Sequence, residues 1–258
     1  MLNTLRALYR LTLTLCLILA AAICILGTAP LPIKRQEIPL SAWMATWFIR
    51  MVLRLYHVHP VIPNANRLRQ HHGFIFPNHL SFLDVFVLMS VVPMRFLSKE
   101  EVKRYPLIGW MATAVGTVFV NRSDKQSRKA AREKLSKLHH YPPIVIFPEG
   151  GISPPPTEIK PFRFGAFEIV AERQTPFIPC VLIYDPLDII FWGDEPLTKA
   201  IWRFIAYSDP IHVYMHALKT IIPTPEDDAK SLALETHGAM TAVLKYHNRE
   251  NDILSSGL

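Results

Sequence analysis

Cysteine is scarce. The chain of 258 residues has three, two of them (Cys16 and Cys24) inside one apolar run and the third, Cys180, alone. No disulfide framework is implied, and a reducing compartment is the default. Acidic side chains are in deficit as well: 21 Asp and Glu stand against 28 Lys and Arg, a formal net charge of +7. That excess points to an anionic partner, whether a membrane surface, a phosphorylated substrate or nucleic acid. Nucleic acid is the poorest fit, because the charge run at residues 128–137 lacks interleaved aromatics and reads as a solvated helix face. The pairs His71/His72 and His139/His140 have no matching ligand pattern, so no metal is expected. Internal repeats and low-complexity tracts are missing; the proline-rich stretch SPPPTEIKP (residues 153–161) reads as a loop, and nothing else resembles a domain linker. No Gly-x-Ser-x-Gly elbow presents Ser81 as a nucleophile.

What the chain does have is apolar surface, at half of all residues. Residues 11–29 (LTLTLCLILAAAICILGTA) carry no charge. As a helix they span about 28 Å, close to the hydrocarbon thickness of a bilayer. Arg6 and Arg10 precede the run, and Lys34 and Arg35 follow it, so the flanks give no orientation. It can cross a membrane, dip into one, or be a cleaved signal peptide. In SAWMATWFIRMVLRLY (residues 41–56), Met44, Trp47, Phe48, Met51, Val52 and Leu55 recur at helical spacing, with Arg50 and Arg54 on another face. This pattern suits a helix in the headgroup layer, or a core helix of the main domain. Residues 1–58 are therefore expected to be membrane-associating and residues 59–258 to form the main domain. A reducing default puts that domain on the cytoplasmic face.

From residue 73 onward short apolar runs alternate with amphipathic stretches. Strands are expected at 73–77, 95–98, 115–120, 144–147, 177–184 and 211–217. Helices are expected at 81–92, 127–140, 161–173 and 225–247, the last opened by Glu226, Asp227 and Asp228 as the helix dipole favours. Such alternation implies an α/β fold with a central, mostly parallel sheet flanked by helices. Ligands collect in these sheets where strands end and helices begin, which groups residues 77–84, 120–123 and 147–151 on one rim.

His79 sits at that rim. An imidazole titrates at about pH 6.5 and can accept a proton near neutrality. Asp84, in the first turn of the next helix, can reach back to fix its tautomer and stabilise the imidazolium. A second reading stands beside this one: Ser81-x-x-Asp84 before an apolar run is a capping box with Asp in the usual Glu position. Arg122, at the end of GTVFVNR, can grip a phosphate bidentately or face water. Glu149 and Gly150, in FPEGG, form either an ordinary turn or a place where backbone approaches a ligand closely.

Taken together these blocks resemble the glycerolipid acyltransferase family typified by 1-acylglycerol-3-phosphate acyltransferase. The likeness rests on NHLSFLD (78–84), SKEEVKRYPLIGW (98–110), GTVFVNR (116–122), FPEG (147–150), PFRFGAF (161–167) and FIPC (177–180), in order over residues 73–184. It implies that His79 is the catalytic base and Asp84 its orienting acid. It also implies that Gly116, Arg122, Glu149 and Gly150 shape the acceptor site, Arg122 holding a phosphate, in an acyltransferase domain of residues 59–258. The implied partners are membrane lipids, a lysophospholipid acceptor, and acyl-CoA or acyl carrier protein as thioester co-substrate, with no cofactor. The implied reaction makes phosphatidate from lysophosphatidate in phospholipid biosynthesis. Other lysolipid acceptors are an alternative, as are a lipid-binding protein without turnover and a serine-type lipid hydrolase. One departure stands out: Gly151-Ile152 follows FPEG where the family commonly has Thr-Arg. A cation is missing there, and Lys160 or Arg163 is the candidate substitute.

Overall fold

The computed structural model describes residues 2–152, 158–193 and 195–255; most of the proline-rich loop expected at 153–161 lies outside them. In chain order the elements are α1 (Leu2–Thr28), a hairpin of β1 (Lys34–Arg35) and β2 (Ile38–Pro39), α2 (Leu40–Leu55), β3 (Val58–Val61) and α3 (Ala65–Arg69). Next come β4 (Phe74–Pro77), α4 (Leu83–Val91), β5 (Arg95–Lys99), α5 (Glu100–Lys103), α6 (Ile108–Ala114), β6 (Val118–Val120) and α7 (Lys125–Lys137). The chain continues through β7 (Ile144–Val145), α8 (Gly165–Arg173), β8 (Phe177–Asp185), α9 (Leu187–Ile190), α10 (Leu197–Ala206), β9 (Ile211–Ala217) and α11 (Ala229–Ser255).

Seven strands form one sheet in the order β3-β9-β8-β4-β7-β5-β6. Strands β4 to β8 are parallel, β9 is antiparallel to β8, and β3 is parallel to β9. This is the α/β class expected from the alternation. Strand β8, FIPCVLIYD, is buried at every position but Asp185, as a strand covered on both faces must be. One apolar core fills the space between the sheet and α1, α2, α4 and α10; the other lies beneath α7, α8 and α11.

The N-terminal helices belong to this packing. Arg10 is buried and donates to the Tyr207 carbonyl, while the Thr14 hydroxyl meets the Tyr56 hydroxyl at 2.6 Å. On the outer side of α1, Leu8, Leu15, Leu19 and Ile23 stay exposed, and Leu5–Thr28 is long and apolar enough to cross a membrane. Helix α2 is packed between α1 and α4, burying Ala42, Ala45, Phe48 and Leu53; of the apolar residues picked out by spacing only Phe48 is buried, Met44, Met51, Val52 and Leu55 are half-buried and Trp47 is exposed. Arg50, placed by spacing on a polar face, turns inward and donates to the Ser90 and Val91 carbonyls at 2.7 and 3.2 Å. There it caps the C-terminal end of α4, whose last carbonyls have no partner within the helix.

Element ends shift for local reasons. The helix expected from residue 161 begins at Gly165, because Arg163 N–H donates to the Pro148 carbonyl at 2.9 Å and ties that loop to the sheet rim. The last helix begins after its acidic opening: Asp228 caps it, accepting from the N–H groups of Lys230 and Ser231.

Candidate active site

Strand β4 ends at Pro77, and Asn78 carries its connection to β8 one step further. The Asn78 amide accepts from Leu182 N–H at 2.7 Å and donates to the Leu182 carbonyl at 3.0 Å. Asparagine offers both a donor and an acceptor on one short stem, so the chain is fixed just where His79 leaves the sheet.

His79 Nδ1 lies 2.7 Å from Asp84 Oδ2. The same oxygen accepts from the backbone N–H of Leu80 at 2.8 Å and of Ser81 at 3.0 Å, and Oδ1 accepts from the Tyr184 hydroxyl at 2.6 Å. Asp84 thus makes its half of the capping box, accepting from Ser81 N–H, and orients the ring with the same oxygen; the Ser81 half is not formed, because the helix is capped at Phe82 without a side-chain bond. Bending back to the turn is what brings the carboxylate under the ring. Every donor points at Asp84, so it acts as acceptor throughout; Nδ1 carries the proton and Nε2 is left basic. Asp84 is fully buried, whereas the His79 side chain keeps 19% exposure. The Phe147 ring stacks on the imidazole with centroids 3.9 Å apart and planes 19° off parallel. Burial, first, and then the Asp84 charge hold the Tyr184 phenol well above its ordinary pKa, so it stays a donor. Ser81 is fully buried and its Oγ accepts from Leu83 N–H at 3.3 Å, so it is not presented at the rim.

Glu149 sits behind His79. Its carboxyl accepts from His79 N–H at 2.7 Å and from Lys160 N–H at 3.1 Å, joining the β4 and β7 ends of the rim to the following loop. Burial raises its pKa to about 7. With an unfolded value of 4.5, the folded protein alone holds the proton between those limits. Stability from this group is full below about pH 4.5 and is lost as pH rises towards 7, by about 3 kcal/mol in total. Thermal denaturation across that range is expected to show the fall in wild type and a flatter profile in Glu149→Gln; parallel profiles would refute it.

Gly150 has φ +74°, and a Cβ there would lie 2.5 Å from Arg163 Nε, so only glycine lets the guanidinium come so close. Arg122 donates through Nη1 to the Gly150 carbonyl. Burial, then the Arg163 charge, lowers the Arg122 pKa. Two guanidiniums thus converge on Gly150, beside the position where Gly151-Ile152 leaves a cation missing. Lys160, the other candidate substitute, directs Nζ to the Ile152 carbonyl at 2.7 Å and straps the loop instead.

The fold therefore gathers His79, Asp84, Glu149, Gly150 and Arg122, while Gly116 stands apart. It follows α6 with φ +87° against Arg95 at the start of β5, the left-handed residue that ends a helix. Parallel pairing of β6 with β5 puts it at the opposite end of the strands from His79. Tyr184 carries no local mark of a site residue, and Phe147 is marked only as the first residue of the FPEG block. Tyr184 is 100 positions from Asp84 and reads as the end of an apolar strand. Among the described residues no group of three His, Cys, Asp or Glu side chains is arranged to hold a metal ion.

Residues 59–183, just under half of the chain, match the acyltransferase family model. The chain is 30% identical over 148 residues to the lyso-ornithine lipid O-acyltransferase of Rhodobacter capsulatus, covering 55% of this chain and 51% of that protein. It is 29% identical over 138 residues to the 1-acyl-sn-glycerol-3-phosphate acyltransferase of Neisseria meningitidis, covering 50% and 52%. The matches thus span about half the length of these relatives. The crystal structure of the 1-acyl-sn-glycerophosphate acyltransferase PlsC from Thermotoga maritima superposes with a TM-score of 0.74 over 95% of this chain and 96% of that one, at 19% identity; the fold is shared.

Proposed function

We propose that this chain moves a fatty acyl group from an acyl thioester, acyl-CoA or acyl carrier protein, to the free hydroxyl of lysophosphatidate at a membrane surface. The observation that carries the proposal is the 2.7 Å contact between His79 Nδ1 and Asp84, which leaves Nε2 as a base at the partly open edge of the ring. The acceptor hydroxyl gives its proton to Nε2 as its oxygen attacks the thioester carbonyl. The tetrahedral intermediate expels the thiolate, which takes the proton from the imidazolium. A thiolate is a competent leaving group, so no acyl-enzyme is needed. Base assistance of this type contributes about 10²–10⁴-fold. The exposed outer face of α1 supports contact with lipid, which holds both substrates where the base can reach them, with the main domain on the cytoplasmic side.

Convergence of Arg122 and Arg163 at Gly150 supports a phosphorylated acceptor. The contrary observation is Gly151-Ile152, which favours a second reading: a lysolipid without that phosphate, such as the lyso-ornithine lipid named for the Rhodobacter relative. Purified protein with radiolabelled acyl-CoA or acyl carrier protein and a panel of lysolipids separates the two. Lysophosphatidate is expected to be esterified fastest. Arg122→Ala is expected to lower kcat/KM for phosphorylated acceptors by about 10-fold or more, one charge-assisted pair, and to spare uncharged ones. Preference for lyso-ornithine lipid, with Arg122→Ala indifferent to acceptor, would establish the second reading. No product with any lysolipid would leave a lipid-binding protein.

A further inference from the structure

At the other end of β4 from His79 a cleft of about 520 Å³ opens between α2, α3 and the start of β4. Arg50 and Arg69 line it, together with Asn66, His72, Trp43 and Tyr141. No carboxylate is among its described lining residues, and neither arginine forms an ion pair among the described residues. Burial, then the charges of Arg69 and Arg54, lowers the Arg50 pKa.

Capping α4 accounts for part of Arg50, since its Nε and Nη2 donate to backbone carbonyls. Those bonds also hold the guanidinium still at the cleft wall. Arg69 has no such duty: it is exposed and donates only locally, to Asn66 Oδ1 at 2.9 Å. The Tyr141 ring stacks on His72 with centroids 4.7 Å apart, and Arg35 lies over Trp43 at 5.2 Å. Two like charges facing one cavity repel, and an anion bridging them relieves the repulsion. Guanidiniums beside an amide donor match the several oxygens of a phosphate.

We infer that the cleft lined by Arg50, Arg69 and Trp43 binds the phosphate group of a ligand, apart from the catalytic rim. Two sources share that chemistry: an anionic lipid headgroup and a soluble phosphate. The first is favoured by position, because Gln36 reaches the cleft from the hairpin that directly follows α1, and Trp43 lines it from the first turn of α2.

The test uses the full chain labelled with fluorotryptophan and observed by fluorine NMR, the Trp43 signal being identified by its loss in Trp43→Phe. In detergent micelles, inorganic phosphate is titrated against chloride at equal ionic strength. In vesicles, phosphatidylcholine is compared with phosphatidylcholine containing phosphatidylglycerol. The Trp43 signal is expected to shift in at least one arm, with a midpoint about 10-fold higher in Arg69→Gln and unchanged in Arg122→Ala. A response to phosphate in micelles assigns a soluble ligand; one confined to phosphatidylglycerol vesicles assigns a headgroup. Arg69 is exposed, so the variant keeps the fold. A Trp43 signal that ignores both anions, or an Arg69→Gln midpoint equal to wild type, overturns the inference.

Discussion

Replacing His79 with alanine is expected to lower kcat for acyl transfer by about 10²–10⁴-fold, the contribution of a positioned base. Folding should survive the change. The imidazole is partly exposed, and its loss removes one of four donors to Asp84 together with the stack on Phe147. That amounts to about 1–2 kcal/mol. The deficit should fall on kcat, since the ring acts on a proton in transit rather than on the resting acceptor. Thioester-dependent esterification and urea denaturation, run on the same preparation, separate the two effects. Esterification at an undiminished rate would remove His79 from the chemistry.

Asp84→Ala should be worse in both respects. The carboxylate is fully buried and accepts from an imidazole, two backbone N–H groups and a phenol. Without it those donors have no acceptor in a dry site, at about 1–3 kcal/mol for each one left unpaired. A stability loss of at least about 3 kcal/mol is expected, along with a fall in kcat as large as that of His79→Ala, because nothing then fixes the ring's tautomer. Tyr184→Phe supplies the graded comparison. It removes one donor, leaves the carboxylate bonded to the other three, and should cost about 1–2 kcal/mol with a smaller fall in kcat. If Tyr184→Phe proved as damaging as Asp84→Ala, the carboxylate would not be the centre of the network.

The rim could be anticipated from sequence because its parts are local. An apolar strand ending in Pro77, followed by His79 and Asp84 within one turn, is a contiguous signal, and β9 appears at its expected ends. The antiparallel turn of β9 and its edge partner β3 could not be anticipated. Strand β3 is short, half exposed and interrupted by Pro60, so it lacks the apolar run that marks a buried strand. Helix α10 does have a local signature: Leu197, Ala200, Ile201, Phe204 and Ile205 recur at helical spacing. Helix α6 runs to Ala114 and closes through Val115 and Gly116, which shortens the strand expected at 115–120 to Val118–Val120. The long-range pairings had no local trace. Tyr184 meets Asp84, and Arg163 meets Gly150, only once the sheet and its following loop are folded. Gly116 shows the opposite failing: next to a strand in sequence, it sits at the end of that strand away from the base.

The central claim, that His79 presents an unprotonated Nε2 to the acceptor because Asp84 holds the proton on Nδ1, is tested most directly by nitrogen-15 NMR of the His79 ring at alkaline pH. The expected spectrum has a pyrrole-type Nδ1 and a pyridine-type Nε2, with the preference lost in Asp84→Ala. A ring protonated on Nε2 in the wild-type protein would contradict it.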